Sequence, residues 1–245
     1  MIPKVIHYCW FGRNPLPPLA LKCIESWKKF LPDYEIKEWN EDNFDVNMIP
    51  YTKEAYEAKK YAFVSDYARF WILYNYGGLY FDTDVEVIKP MDDIIARGPF
   101  MGCENEVKPG ATALAVESGL GLGCNPGLPF YREMLELYAT LHFINSDGTY
   151  NQKTIVSYTT EMLCMHGLKN VNNIQECAGN YIYPTEYFCP IDIRTLNLNI
   201  TNKTISIHHF TGSWKTPSWK RKLLTKLIGF RLMRKIDAWR LNGIL

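Results

Sequence analysis

The 245-residue sequence lacks the features that would assign it to several common protein classes. Its seven cysteines are odd in number and include no Cys-x-x-Cys pair, which argues against a disulfide framework or a zinc site. No apolar run approaches the ~18 residues of a membrane-spanning helix, and no signal-peptide pattern follows Met1. Internal repeats and low-complexity segments are absent too. We therefore expect a cytoplasmic globular protein with reduced thiols.

The formal net charge is only +1, but the charge is distributed unequally along the chain. Residues 215–245 contain nine Lys or Arg and one acidic residue, whereas residues 1–214 contain 18 basic and 25 acidic residues. The tail mixes apolar and basic residues at helical spacing, which is typical of a helix on an anionic membrane surface. The alternative is a C-terminal helix that packs on the domain. No nucleic-acid-binding motif accompanies the tail, so we expect no nucleic-acid partner.

Strands and helices alternate along the first 90 residues. The patterns predict strands at 4–10, 34–39, 79–81 and 85–88, and helices at 19–30 and 53–76. Such alternation predicts an α/β, Rossmann-like domain with a mixed, mainly parallel sheet flanked by helices.

Two acidic residues follow a short apolar strand. Asp82 and Asp84 are two positions apart and come directly after residues 79–81, behind a Gly-Gly break. Neighbouring carboxylates repel each other unless a cation neutralises them. A hard divalent ion such as Mn²⁺ or Mg²⁺, shared with a diphosphate, suits such oxygen ligands and would act as a Lewis acid. The alternative is a solvated turn.

A second charged pair lies within an apolar helical segment. Asp66 and Arg69 are three residues apart, so they share one helix face. Buried charges need partners, and the pair could be a structural salt bridge. It could also bind sugar hydroxyls, because the guanidinium group keeps its charge and offers several donors.

The motifs taken together resemble a known family. They are, in order, residues 2–12 (IPKVIHYCWFG), 26–27 (SW), 31–35 (LPDYE), 39–40 (WN), 63–69 (FVSDYAR), 77–84 (GGLYFDTD) and 208–214 (HHFTGSW). This set resembles glycosyltransferase family 32, which includes bacterial capsular polysaccharide and lipopolysaccharide glycosyltransferases. It is related to initiating mannosyltransferases and clostridial toxin glucosyltransferases. The match is strong over residues 2–90 and weak between there and residue 208.

The resemblance implies a fold and an activity. It implies a GT-A catalytic domain over residues 1–214, with the basic helical tail at 215–245. The implied reaction is a retaining transfer of a hexose-type sugar from a nucleotide sugar, with a UDP-sugar favoured, assisted by Mn²⁺ or Mg²⁺. The implied acceptor is a surface polysaccharide or lipid-linked oligosaccharide. We expect the enzyme to lie on the inner face of the plasma membrane.

The resemblance also implies roles for individual residues. Trp10 corresponds to the aromatic residue that stacks on the donor base, with Tyr8 close by. Asp66 and Arg69 correspond to the pair that holds the donor sugar. Asp82 corresponds to the acid that touches ribose and sugar, and the acid that binds the metal directly corresponds to Asp84. A core role for Trp10 remains the alternative.

The C-terminal motif adds a ligand and a lid. His209 corresponds to a metal or diphosphate ligand, because neutral imidazole is a good Mn²⁺ ligand. His208 would point the other way on a regular strand, and a structural role for His209 remains possible. Ser213 and Trp214 correspond to a closing segment that reaches the diphosphate.

No nucleophile is evident. Glu104 and Glu106 could face the sugar, but they read more simply as solvated loop acids. We therefore expect same-face attack by the acceptor, with the leaving diphosphate taking the proton. Two other functions stay open: a toxin-like effector that glycosylates a protein, and a non-catalytic sugar-nucleotide-binding module.

Overall fold

The computed structural model describes residues 1–107, 113–192 and 197–211. Ser213, Trp214 and the tail 215–245 lie outside the described residues. The strands are β1 (Val5–Cys9), β2 (Glu35–Trp39), β3 (Gly78–Tyr80), β4 (Val85–Val87), β5 (Phe100–Cys103), β6 (Val116–Glu117), β7 (Leu122–Cys124), β8 (Gln175–Cys177), β9 (Asn180–Tyr183) and β10 (Ser206–His208). The helices are α1 (Pro18–Phe30), α2 (Pro50–Glu57), α3 (Tyr61–Tyr76), α4 (Asp92–Arg97), α5 (Pro129–Ala139), α6 (Ile155–Met165) and α7 (Thr185–Phe188).

An eight-stranded mixed sheet forms the centre of the domain, in the order β2-β1-β3-β7-β5-β9-β8 with β6 beside β5. Parallel pairs join β1 to β2, β1 to β3 and β5 to β9. The predicted α/β class with a mixed sheet is confirmed. Fewer of the strand pairs in the sheet are parallel than predicted, because β7 runs antiparallel between β3 and β5. One reversed strand between them leaves β3 and β5 pointing in the same direction.

Two hydrophobic clusters cover the two faces of the sheet. Tyr8 and Leu79 enter the cluster beneath α1, whereas Cys9 and Tyr80 enter the larger cluster beneath α3 and α5. Because successive side chains of a strand point to opposite faces, these neighbours assign the two clusters to opposite sides. The sheet is therefore covered on both faces, as predicted.

Helix α3 ends where its sequence requires. Gly77 caps it with an N–H donated to the Leu73 carbonyl at 2.8 Å, and its φ is +65°. Gly78 has φ +95°, and a Cβ there would lie 2.6 Å from the Val5 carbonyl oxygen. This glycine pair therefore turns the chain directly from α3 into β3 and places the Asp-Thr-Asp segment at the end of that strand.

The single helix predicted at 53–76 is two helices in the structure. Lys59 has φ +57°, which ends α2, and the chain restarts as α3 at Tyr61. A separate antiparallel pair, β4 with β10, places His208 opposite Val85. None of the helices within the described ranges is long and apolar enough to cross a bilayer.

Candidate functional site

Three strands of the sheet deliver polar or aromatic side chains to one edge. Trp10 follows β1, Asp82 lies two residues after β3, and Glu104 follows β5. These strands run in the same direction, so their carboxyl ends meet at the same edge, where ligand sites of α/β sheets form.

Arg69 occupies the centre of a buried charged cluster. It is only 3% exposed. Its Nη2 lies 3.1 Å from Asp66 Oδ1 and 3.3 Å from Asp82 Oδ1. Its Nη1 donates to Ser118 Oγ at 3.1 Å and lies 3.9 Å from Glu117 Oε1. The helix pair predicted from sequence therefore meets the first acid of the Asp-Thr-Asp segment.

Burial changes the ionisation of this cluster. Removal from water raises the pKa of Asp66 to about 7 and that of Glu117 to about 8. Burial opposes the charge on Arg69, but the carboxylate of Asp82 and its neighbours raise the pKa of the guanidinium well above its usual value. Near neutral pH the cluster contains both donors and acceptors, which suits the hydroxyl groups of a sugar.

Asp84 is held by donors from the last residue of β10 and from the segment that follows it. His208 Nε2 lies 3.1 Å from Asp84 Oδ1, and the N–H and hydroxyl of Thr211 both donate to Oδ2 at 2.8 Å. Burial opposes ionisation of Asp84, but His208 and these hydrogen bonds keep its pKa well below the usual range. Burial also disfavours charged His208, yet the Asp84 carboxylate raises its pKa to about 9. Asp84 is therefore anionic.

A cavity of about 260 Å³ lies against this carboxylate. Trp10, Thr83, Asp84 and Thr211 line it, together with the start of α1. The Trp10 indole donates to the Asn14 carbonyl at 2.6 Å, which fixes the ring. The aromatic Trp10 and the anionic Asp84 thus line one cavity beside the Arg69 cluster. From the sequence, Trp10 was predicted to meet the donor base and Asp84 the metal bound to the diphosphate.

Other predicted residues lie differently. The Tyr8 hydroxyl donates to Glu38 Oε2 at 2.6 Å, and its ring packs near Trp27 within the cluster beneath α1. The His209 ring lies 2.9 Å from Glu86 Oε2, while its backbone N–H donates to the Asp84 carbonyl at 3.0 Å. The two histidines do point apart, and it is the His208 ring that meets the Asp84 carboxylate.

A metal site needs several ligands close together. The described residues contain no group of three or more His, Cys, Asp or Glu side chains arranged to hold a metal ion. Asp82 Oδ1 accepts from the Tyr80 hydroxyl at 2.9 Å and faces Arg69. Of the acidic pair, Asp84 is therefore the better placed to hold a divalent ion, and Mg²⁺ is often shared with substrate phosphates. Asp84 fits such an ion because it is anionic and lies on the cavity wall.

Sequence reasoning assigned no role to Glu117, Ser118 or Thr211, and it set His208 aside in favour of His209. One signal was present in the glycine-rich segment 119–129. Gly119 accepts the Asp82 N–H on its carbonyl at 3.2 Å, and a Cβ on Gly119 would lie 2.0 Å from Asp82 Oδ2. That glycine marks a close approach to the acidic pair, which the loop assignment did not use.

The two glutamates considered as sugar-facing have different surroundings. Burial raises the pKa of Glu104, with the His208 charge acting in the opposite direction. Glu106 Oε1 accepts from the Thr185 hydroxyl at 3.3 Å. Glu104 is thus not a solvated loop acid.

Comparisons with known proteins find glycosyltransferases that are similar to part of this chain. Residues 17–101 match the glycosyltransferase sugar-binding region containing DXD motif. Inositol phosphoceramide mannosyltransferase 1 of Schizosaccharomyces pombe is 30% identical over 111 residues, which are 41% of this chain and 33% of that protein. An uncharacterized glycosyltransferase of Acanthamoeba polyphaga mimivirus is 34% identical over 106 residues, 41% of this chain and 42% of that one. The chain thus spans less than half the length of these curated relatives.

Solved structures include similar glycosyltransferases. The PaToxG glycosyltransferase aligns with a TM-score of 0.48 and 20% identity, covering 67% of this chain and 69% of its own. A glycosyltransferase involved in glycosylation of the major capsid of PBCV-1 aligns with a TM-score of 0.48 and 11% identity, over 86% and 95% of the two chains. Residues 17–101 are thus similar to the sugar-binding region of glycosyltransferases that contain a DXD motif.

Proposed function

We propose that the protein is a retaining, metal-dependent glycosyltransferase that moves a hexose-type sugar from a nucleotide sugar, with a UDP-sugar favoured. The acceptor we propose is a surface polysaccharide or a lipid-linked oligosaccharide, such as those of capsule or lipopolysaccharide synthesis. The observation that carries the proposal is the shared cavity of Trp10 and Asp84 next to the buried Arg69 cluster. Two similar proteins of Schizosaccharomyces pombe are mannosyltransferases, and mannose is a hexose.

The reaction breaks the bond between the anomeric carbon and the diphosphate oxygen, and the electron pair leaves with the diphosphate. An acceptor hydroxyl oxygen forms the new bond on the same face of the sugar, and its proton passes to the departing diphosphate. Asp66 and Arg69 hold the donor hydroxyls, and Asp82 orients Arg69 across 3.3 Å. Trp10 stacks on the base. No protein base is assigned.

A bound Mn²⁺ or Mg²⁺ would supply a positive charge that stabilises the departing diphosphate. Asp84 is the residue that would hold it. Asp82 is the second carboxylate of the predicted ligand set, and His209 is its imidazole. His208 is held protonated 3.1 Å from Asp84, so it has no lone pair to offer a metal. Holding Asp84 ionised is the task that His208 and Thr211 perform in the chain itself.

The remaining parts of the proposal concern segments outside the described residues. Ser213 and Trp214 would close over the diphosphate and exclude water, which otherwise hydrolyses the donor. The basic tail at 215–245 would hold the enzyme on an anionic membrane surface on the cytoplasmic side. That position would suit a lipid-linked acceptor.

Donor binding is the first test. UDP-glucose, UDP-galactose and GDP-mannose are each added to the full chain with and without Mn²⁺, and the melting temperature is measured. A donor at 100 times its Kd stabilises the folded state by about 2.7 kcal/mol. We expect at least one donor to raise Tm in a Mn²⁺-dependent way, and Asp84→Asn to lose that Mn²⁺-dependent part.

Asp93→Asn on the exposed face of α4 is the matched control and should respond like the wild type. The proposal is wrong if no nucleotide sugar raises Tm, or if Asp84→Asn keeps the full metal-dependent shift. A donor-hydrolysis assay then separates an enzyme from a binding module, because a binding module would show the shift without turnover.

A further inference from the structure

A second cavity, of about 340 Å³, lies between the β5–β6 edge and the first turns of α6. The residues that carry its chemistry are Glu104, Ala115, Thr154, Ser157, Thr160 and Glu161. We propose that this cavity binds the acceptor sugar, as a neutral polyhydroxylated ring. The proposal rests on the glycosyltransferase function proposed above and adds a location and a chemical class for the acceptor.

The position of the cavity relative to the Arg69 cluster is the first argument. Glu104 follows β5, and its N–H donates to the Ala115 carbonyl at 2.9 Å. Ala115 comes directly before β6 and extends its pairing with β5, and Glu117 follows two residues later, so their side chains leave the same face. Glu117 lies 3.9 Å from Arg69. The cavity therefore adjoins the cluster that we assign to the donor sugar.

Glu104 connects the two cavities electrostatically. Its charge contributes to the raised pKa of Glu117, and it is close enough to His208 for that imidazole to act on its own pKa. His208 in turn contacts Asp84, which lines the first cavity. An acceptor bound against Glu104 would lie beside Ala115, two residues before Glu117 of the Arg69 cluster.

The lining has the chemistry of a sugar site. Three hydroxyl side chains and two carboxyl groups face the cavity beside aliphatic carbon from Leu114 and Val156. The lining residues that the structure describes include no Lys or Arg, so nothing among them favours an anionic ligand. Sugar hydroxyls donate to carboxylates and exchange hydrogen bonds with side-chain hydroxyls, while their ring carbons pack on aliphatic groups.

Part of the lining is already fixed in place. Thr160 Oγ1 accepts the Val116 N–H at 2.9 Å, so its own hydrogen remains to be donated elsewhere. Thr154 caps α6 by accepting the Ser157 N–H at 3.3 Å. Hydroxyl groups held by the backbone lose little freedom when a ligand binds, which favours binding of a small ring.

The test uses the full chain and simple glycosides. Methyl α-mannoside, methyl α-glucoside and methyl β-galactoside are titrated in the presence of UDP and Mg²⁺, and binding is measured by saturation-transfer difference NMR. We expect at least one glycoside to bind the wild type. Ser157→Phe, which fills the cavity, should raise its Kd by about tenfold or more, equivalent to losing one or two hydrogen bonds.

Met165→Phe is the matched control, because Met165 is 77% exposed at the far end of the same helix. It should bind the glycoside like the wild type. Glu161→Ala is a second variant in case Ser157→Phe does not fold, since Glu161 is exposed and its loss should still raise the Kd several-fold. Absence of glycoside binding to the wild type overturns the proposal, as does an unchanged Kd in the variants. If the anionic methyl β-glucuronide binds more tightly than the neutral glycosides, the proposal that the acceptor sugar is neutral is wrong.

The two proposals fail in different ways. If no nucleotide sugar shifts the Tm of the wild type, the proposed function is wrong whatever the glycosides do. If nucleotide sugars shift Tm but no methyl glycoside binds, only the acceptor cavity is wrong.

Discussion

At the scale of single residues, the cluster around Arg69 places three carboxyl groups against one guanidinium. Asp66 and Glu117 are largely buried and partly protonated near neutral pH, whereas the Asp82 side chain is 28% exposed. One cation cannot neutralise three neighbouring carboxylates of which two are largely shielded from water, so protons make up the difference. The cluster is therefore sensitive to pH in a predictable direction.

Glu117→Gln tests this balance. The folded pKa of Glu117, about 8, lies above its ordinary value of 4.5. Its protonated form thus stabilises the fold fully below pH 4.5, and this stabilisation is lost as pH rises through 8. Glutamine stays neutral and can still accept the Gly119 N–H. We expect Tm to decrease between pH 5 and pH 9 in both proteins. The decrease should be smaller in the variant than in the wild type, by at least about 2–4 °C.

The exposed Glu176 provides the control, and Glu176→Gln should follow the wild-type profile. Parallel Tm profiles for Glu117→Gln and the wild type would mean that Glu117 is not protonated in the fold near neutral pH.

At the scale of elements, the β4–β10 ladder decides which histidine faces the acidic pair. Ser206 pairs with Val87 and His208 with Val85, so the His208 ring reaches Asp84 while the His209 ring turns to Glu86. His208→Gln should therefore weaken Mn²⁺ binding in the presence of UDP by about 10–100-fold, the usual cost of losing a group that supports a ligand. Electron paramagnetic resonance of free Mn²⁺ measures this affinity.

His209→Gln is the matched variant, and we expect a smaller loss of Mn²⁺ affinity from it. A larger loss in His209→Gln than in His208→Gln would reverse this order. It would mean that His209 leaves Glu86 when the nucleotide binds and becomes the ligand predicted from the sequence.

The elements that could be predicted from sequence are those with strong local signals. Residues 79–81 are preceded by a glycine pair and followed by an acidic pair. The strand, the turn before it and the candidate site after it could therefore all be predicted from this one segment. The reversal of β7 was not readable, because its three residues carry no periodic pattern and its neighbours are distant in sequence. Glu117 was missed for the same reason, since only tertiary pairing brings β6 to Arg69.

At the scale of the whole molecule, charge is segregated between the domain and its tail. Residues 215–245 contain nine basic residues against one acid, and residues 1–214 contain 25 acids against 18 basic residues. An acidic body is repelled by an anionic membrane, so any attraction must come from the tail. Attraction of this kind is electrostatic and weakens as salt is added.

Lys220→Gln, Arg221→Gln and Lys222→Gln, combined in the full chain, should test the tail. Each basic residue near an anionic surface contributes about 1 kcal/mol, so the triple variant should bind phosphatidylglycerol vesicles about a hundredfold more weakly. Sedimentation with phosphatidylcholine vesicles, with and without phosphatidylglycerol, measures the difference.

The control carries the same change of charge on the domain, where Lys28, Lys29 and Lys53 are exposed. Replacing all three by glutamine gives the same net charge as the tail variant. If net charge alone governed binding, both triple variants would lose affinity equally. If the tail lies on the membrane, only the tail variant loses it, because attraction falls off within a Debye length of the surface and only basic residues held there contribute.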